Sequence, residues 1–157
     1  MRKRIIICTI FLICMSSSIF ASFLSNQPNY YNVHSDIEGT WYFDKNSVKS
    51  VRYEPPYYVI RSDVYREKYG DEQISKLGVL FYYDYELQVM KSRIIEVEKY
   101  DSYGNLLSRV KKDGPVGTHI YHKGETSVFD DVGNYCFYNC YHIFFYKEWN
   151  QDFGLHL

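Results

Sequence analysis

The stretch GVLFYYDYELQVMKSRIIEVEKYDSYGNLLSRV, residues 78–110, decides the fold that this sequence predicts. Its β-branched and aromatic residues are concentrated in two runs, 77–84 and 88–100, and such residues fit a pleated, half-buried sheet. A third run, 106–111, follows the turn sequence Asp101-Ser102-Tyr103-Gly104-Asn105, in which aspartate opens a turn and glycine adopts positive φ without steric cost. The stretch therefore predicts three consecutive antiparallel strands joined by tight turns.

Further extended segments precede this meander. Residues 40–44, 48–53 and 57–66 are rich in strand-forming side chains. Glu54-Pro55-Pro56 ends the second of these segments, because proline has no N–H to donate to a strand ladder. The charged residues 67–76 are predicted to form a loop. The expected sheet has five or six antiparallel strands.

The periodicity changes after residue 127. Apolar side chains then recur at spacings of three and four, at Phe129, Val132, Cys136 and Cys140. This spacing is typical of an amphipathic helix, and Ser127 fits its N-cap position. Gly133 disfavours a helix by about 1 kcal/mol, and a strand over 135–146 is the alternative. A helix here would cover one face of the sheet, which predicts an α+β domain with an antiparallel meander packed against a C-terminal α-helix.

The first 21 residues have the pattern of a signal peptide. A positively charged start precedes an apolar run of 11 residues, and small residues lead to an expected cleavage site after Ala21. The apolar run is shorter than the roughly 20 residues that span a bilayer, so we expect no membrane span after cleavage; an uncleaved anchor is the alternative. The predicted organisation is a signal peptide over 1–21, a flexible lead-in over 22–38, a single domain over 39–149 and a tail over 150–157. The protein is expected in the periplasm, at the cell surface or outside the cell.

The charge and the aromatic content of the sequence indicate which kinds of binding partner the protein has. Without the leader, 15 basic residues stand against 19 acidic ones, and no basic stripe is present, which argues against a nucleic-acid partner. All 18 tyrosines lie beyond the leader, and tyrosine suits both sheet packing and adhesive surfaces. A candidate aromatic binding surface consists of Tyr57, Tyr65, Tyr82, Tyr83 and Tyr85, and the same residues could instead pack under the helix.

The cysteines beyond the leader are Cys136 and Cys140. As buried free thiols they would serve as small apolar residues; in an exported protein they also form a candidate disulfide, although a helical spacing of four aims them poorly for one. With His119, His122 and His142 they contain zinc-ligand types, but no CxxC or HExxH string organises them. We therefore predict no metal, no cofactor and no catalytic residue.

Glu96 and Glu98 share one face of a predicted strand, about 7 Å apart. Such a separation suits paired catalytic carboxylates. Because Lys91, Arg93 and Lys99 are close in sequence, a solvated and charge-balanced face is the favoured interpretation.

Three strings, residues 41–49, 91–97 and 100–108, together resemble the bacterial surface-adhesin protein E family of small exported domains. The resemblance extends over residues 39–146. It implies an antiparallel sheet flanked by helix, export, and a role in binding host or surface macromolecules. The chain departs from the family in having no cysteine in its central strands.

The function expected from these features is that of an exported, non-catalytic binding module for a protein or glycan. Recognition would use the tyrosine-rich surface or pairing at an exposed sheet edge. One alternative is a periplasmic inhibitor or immunity-like protein. Another is a small metal-dependent hydrolase built on His119, His122 and the cysteines.

Overall fold

The computed structural model describes residues 24–71, 73–112, 118–121 and 127–146. The predicted signal peptide, residues 1–21, and the predicted tail, residues 150–157, lie outside the described residues.

The described residues contain eight strands and one α-helix, so the fold is α+β. In chain order they are β1 Tyr30–Ser35, β2 Gly39–Asp44, β3 Lys49–Glu54, β4 Tyr57–Lys68, β5 Gln73–Asp84, β6 Val89–Asp101, β7 Leu106–Lys111, β8 Thr118–Tyr121 and α1 Val128–Tyr141. All strand pairs are antiparallel. The antiparallel sheet and the C-terminal helix confirm the predicted class, but five or six strands were too few.

The long strands β4, β5 and β6 form the centre of the sheet, and each outer edge of this centre is shared by two short strands. On one side β3 pairs with the first half of β4 and β2 with its second half. On the other side β8 pairs with the first half of β6 and β7 with its second half. A 3-10 turn over Lys45–Ser47 fills the gap between β2 and β3, where the Ser47 hydroxyl accepts a hydrogen bond from the backbone N–H of Asp63 at 2.8 Å.

The predicted meander is confirmed as β5, β6 and β7. Its second turn uses the expected chemistry, since Asp101 Oδ1 accepts hydrogen bonds from the backbone N–H groups of Tyr103 at 2.9 Å and Asn105 at 2.8 Å. Gly104 has a φ of 86°, which a residue with a side chain rarely adopts.

The prediction of a flexible lead-in over 22–38 is wrong for β1, which pairs along β2. The Tyr31 ring packs against Tyr135 of the helix with ring centroids 5.3 Å apart, and Leu24 is 1% exposed. These residues are held by tertiary packing, which the polar composition of the segment does not reveal.

The predicted loop over 67–76 is also wrong. Strand β4 continues to Lys68 and β5 begins at Gln73, so only a short turn separates them. One of the charges that favoured a loop is paired between strands, since Lys76 Nζ lies 3.0 Å from Asp63 Oδ2.

The predicted helix is confirmed, and the alternative strand over 135–146 is wrong. Ser127 caps the helix by accepting a hydrogen bond from the backbone N–H of Asp130 at 3.1 Å. Gly133 has a packing role, because a Cβ there would lie 2.1 Å from the Met90 sulfur. The helix covers the main core, whose fully buried members include Ile60, Val79, Phe81, Met90 and Phe137. Among the described residues, no helix is long and apolar enough to cross a membrane.

Candidate binding site on the open face of the sheet

The sheet face opposite α1, called here the open face, separates the five predicted tyrosines into two groups. Strand alternation and the β4–β5 register place Tyr57, Tyr65 and Tyr82 on the open face. Tyr83 and Tyr85 lie under the helix instead. The Tyr83 hydroxyl donates to the backbone carbonyl of Gly133 at 2.8 Å, and the Tyr85 ring stacks on Phe137 at 5.7 Å. The five residues therefore do not form one platform.

A hollow of about 220 Å³, called here the Tyr57 hollow, opens at one end of the open face. It is lined by Tyr57, Tyr82, Tyr83, Asp84, Leu87, Val89 and Lys91. Tyr57 is 53% exposed and Leu87 is 72% exposed, so large apolar side chains meet solvent here. Asp84 and Lys91 bring one negative and one positive charge to the lining.

The turn that carries Leu87 is fixed by hydrogen bonds. Asp84 Oδ1 accepts from the backbone N–H of Leu87 at 3.0 Å, and the Gln88 side-chain amide donates to the Tyr85 carbonyl at 2.9 Å. The Tyr85 backbone N–H donates to the carbonyl of Pro56 at 2.9 Å, which ties this turn to the neighbouring β3–β4 turn. Hydrogen bonds thus hold the backbone of the turn that carries Leu87 and join it to the turn that precedes Tyr57.

The middle of the open face carries a charged belt of three acidic and three basic side chains. Its members are Arg61, Asp63, Lys76, Glu96, Glu98 and Arg109. Lys76 Nζ lies 3.2 Å from Glu98 Oε2, and Arg109 Nε lies 3.6 Å from Glu96 Oε1. The belt joins β4, β5, β6 and β7 side by side, and its formal charges cancel.

Glu98 is the buried centre of the belt, with 1% exposure. Burial alone would raise the pKa of its carboxyl, but hydrogen bonds from Tyr100, Arg109 and Lys76 outweigh burial and hold the pKa below its usual value. The Tyr100 hydroxyl donates at 2.6 Å, and Arg109 donates to the other carboxylate oxygen. The predicted charge balance around Glu96 and Glu98 is confirmed. The prediction that Glu98 is solvated is wrong, because its side chain is buried. Its cationic partners are Lys76 and Arg109 on neighbouring strands, in place of the expected Lys91, Arg93 and Lys99.

A second hollow of about 160 Å³ lies beyond the belt, at the other end of the open face. Its lining consists of Leu24, Tyr30, Tyr65, Ile74, Tyr100 and Gly104. The rings of Tyr30 and Tyr65 meet edge to face, with centroids 5.0 Å apart. Burial and a side-chain hydrogen bond to Tyr30 raise the pKa of Tyr65. Leu24 and Ile74 are almost fully buried here, so this hollow is a small second core more than an open site.

Three of the four short edge strands, β1, β3 and β7, are poorly suited to pairing with another chain. The pairings of β1, β3 and β7 each contain a register shift, between Asn32 and His34, between Ser50 and Arg52, and opposite Lys99 and Tyr100. Bulges of this kind twist an edge and interrupt its row of hydrogen-bonding groups. Among the described residues, the open face is therefore a better candidate for recognition than an edge.

The two cysteines are free thiols on α1, so the candidate disulfide is not formed in this structure. Cys136 is fully buried, and burial raises the pKa of its thiol. Cys140 is half-buried, and burial raises its pKa as well. Both side chains therefore fill space on the core side of the helix.

The described part of the chain contains no group of three side chains able to hold a metal ion. His122 lies outside the described residues, and of His119 only the backbone position in β8 is described. The alternative of a metal-dependent hydrolase therefore stays a prediction.

Comparison of the chain with family models, with curated proteins and with solved structures returns no match. The resemblance to the surface-adhesin protein E family accordingly stays an expectation from the sequence.

Leu87, Val89 and the belt residue Arg109 are site residues that the sequence reasoning missed. Alternation along β5 was the available signal for the tyrosines, because Tyr82 and Tyr83 are adjacent and must point to opposite faces.

Proposed function

We propose that this protein is an exported, non-catalytic binding module that recognises a protein or glycan through the open face. The observation that carries the proposal is the Tyr57 hollow, which the exposed side chains of Tyr57 and Leu87 both line. Exposed apolar patches with polar rims are typical of interaction sites, and tyrosine supplies much of the contact energy in such sites.

Export is supported by the pattern of residues 1–21, which has a charged start, an apolar run and small residues before Ala21. A non-catalytic role is supported by the charged belt, in which the carboxylates of Glu96 and Glu98 are already paired with cations. Paired in this way, they are poorly placed to act as acid and base.

The proposal is tested by applying the protein to a glycan array and to a panel of purified extracellular-matrix proteins. Three forms are compared: the wild type, the open-face variant Tyr57→Ser/Leu87→Ser, and the control Tyr103→Ser/Ile143→Ser. The control removes two comparably exposed side chains, since Tyr103 is 86% and Ile143 is 48% exposed, and neither lines the Tyr57 hollow.

We expect saturable binding to at least one array member by the wild type and the control, and a loss of at least about tenfold, or 1.4 kcal/mol, in the open-face variant. Equal binding by all three forms would refute recognition at this face. An absence of binding to every array member would count against the adhesin-like role. A periplasmic inhibitor would use the same hollow but would bind a single protein of its own cell.

A further inference from the structure

The walls of the Tyr57 hollow are mainly apolar. Leu87 and Val89 contribute aliphatic surface, and Tyr57 and Tyr82 contribute aromatic surface. A sugar ring placed here would meet aliphatic groups along one side, where its hydroxyls would find no hydrogen-bond partner. Because unpaired polar groups are costly to bury, this lining favours an apolar guest.

The volume of the hollow limits the bound apolar ligand to the size of a single side chain. About 220 Å³ is below the range of roughly 300–1,000 Å³ found for pockets of drug-sized ligands. A single large side chain, such as leucine or phenylalanine, is the natural unit of this size in proteins, and interface hot spots are commonly such anchors in well-packed pockets.

The charged residues that line the hollow favour a protein as the binding partner. Asp84 and Lys91 lie on the adjacent strands β5 and β6, so the lining carries both signs. Because the two charges cancel, the lining favours neither a polyanion nor a polycation, whereas a protein segment can present a base and an acid on either side of its apolar anchor. The fixed turn at Leu87 lowers the entropic cost of binding, because this wall is ordered before the partner arrives.

We propose that the Tyr57 hollow receives one leucine or aromatic side chain from a protein partner. This inference rests on the proposed binding function and narrows its ligand class from protein or glycan to protein.

The test is an NMR titration of ¹⁵N-labelled protein with three probes: N-acetyl-leucine amide, N-acetyl-phenylalanine amide and methyl β-glucopyranoside. The amides imitate an anchor side chain, and the glycoside imitates a glycan. We expect the amides to bind with millimolar affinity, as befits fragments of this size, and to shift the backbone signals of Tyr82, Leu87 and Lys91. The glycoside should leave these signals unchanged.

Two matched variants test whether the amides bind in the Tyr57 hollow. Leu87→Ser removes an exposed wall residue, so the fold should persist, and we expect it to weaken amide binding at least fivefold. Tyr103→Ser, in the β6–β7 turn, should leave the affinity unchanged. Equal affinities in wild type and Leu87→Ser would overturn the inference.

The outcomes separate the two proposals. If the glycoside binds at the hollow and the amides do not, the protein-partner inference is wrong while the binding function stands. If no probe binds there, the inference is also wrong, and the array experiment alone then decides whether the open face binds a macromolecule. If array binding is insensitive to the open-face variant, the proposed function itself fails.

Discussion

Replacing Glu98 by glutamine should destabilise the fold, because this buried carboxylate joins the cations of two neighbouring strands. Lys76 Nζ lies 3.2 Å from Glu98, and Arg109 donates a hydrogen bond to its other oxygen. Glutamine keeps the shape and an acceptor but removes the charge.

The magnitude follows from the partners that remain. Removing one member of a fully buried ion pair costs about 3–5 kcal/mol. Here Lys76 can still pair with Asp63, and Arg109 with Glu96, so the loss is closer to that of hydrogen bonds to a charged group. We expect the free energy of unfolding to fall by about 2 kcal/mol, with a decrease in Tm of roughly 5–10 °C.

The effect should depend on pH in one direction. The pKa of Glu98 in the folded state is lowered, so its stabilisation is present above the unfolded pKa of about 4.3 and is lost as the pH falls through the lower folded value. The stability difference between wild type and Glu98→Gln should therefore be constant at neutral pH and shrink in acid.

Urea unfolding followed by tryptophan fluorescence, between pH 7 and pH 3, measures this difference. Glu54→Gln is the matched control, because Glu54 pairs with Arg52 at the surface with its side chain 63% exposed; we expect little change in stability. If Glu98→Gln is no less stable than this control, or if its deficit is the same at all pH values, the account of the belt is wrong.

Three further predictions concern the helix. Gly133→Ala should lower the free energy of unfolding by about 1–2 kcal/mol despite the better helix propensity of alanine, because its Cβ would collide with the buried Met90 side chain; an increase in the urea midpoint would contradict this. Ser127→Ala removes the N-cap acceptor and should cost about 1 kcal/mol in the same assay, whereas an unchanged midpoint would show that the cap is dispensable. In the folded protein iodoacetamide should modify Cys140 faster than the fully buried Cys136, and equal rates by peptide mass mapping would argue against this helix orientation.

Local chemistry explains why the meander and the helix were predictable. The turn around Asp101 and the N-cap at Ser127 use side chains that bond to backbone within a few residues, and such signals are readable in one sequence. Strand β1 was missed because its stability comes from contacts such as Tyr31 with Tyr135, which are distant in the chain.

The candidate site was predictable only in part. Tyr57 and Tyr82 were named from the sequence and do line the hollow, whereas Leu87 was missed because it follows a strand and belongs to no periodic pattern. The charged belt was not predicted from the sequence, for a related reason. Its partners are brought together by strand register, which a sequence does not state: Glu98 is opposite Lys76 on β5 and opposite Arg109 on β7.

Residue-resolved NMR of the protein with a ligand selected by the array shows whether the open face binds that ligand. We expect signal changes to cluster at the Tyr57 hollow, in the turn at Leu87 and at Lys91, and to vanish in Tyr57→Ser/Leu87→Ser. Changes confined to α1 or to the edge strands, with the hollow unaffected, would contradict it.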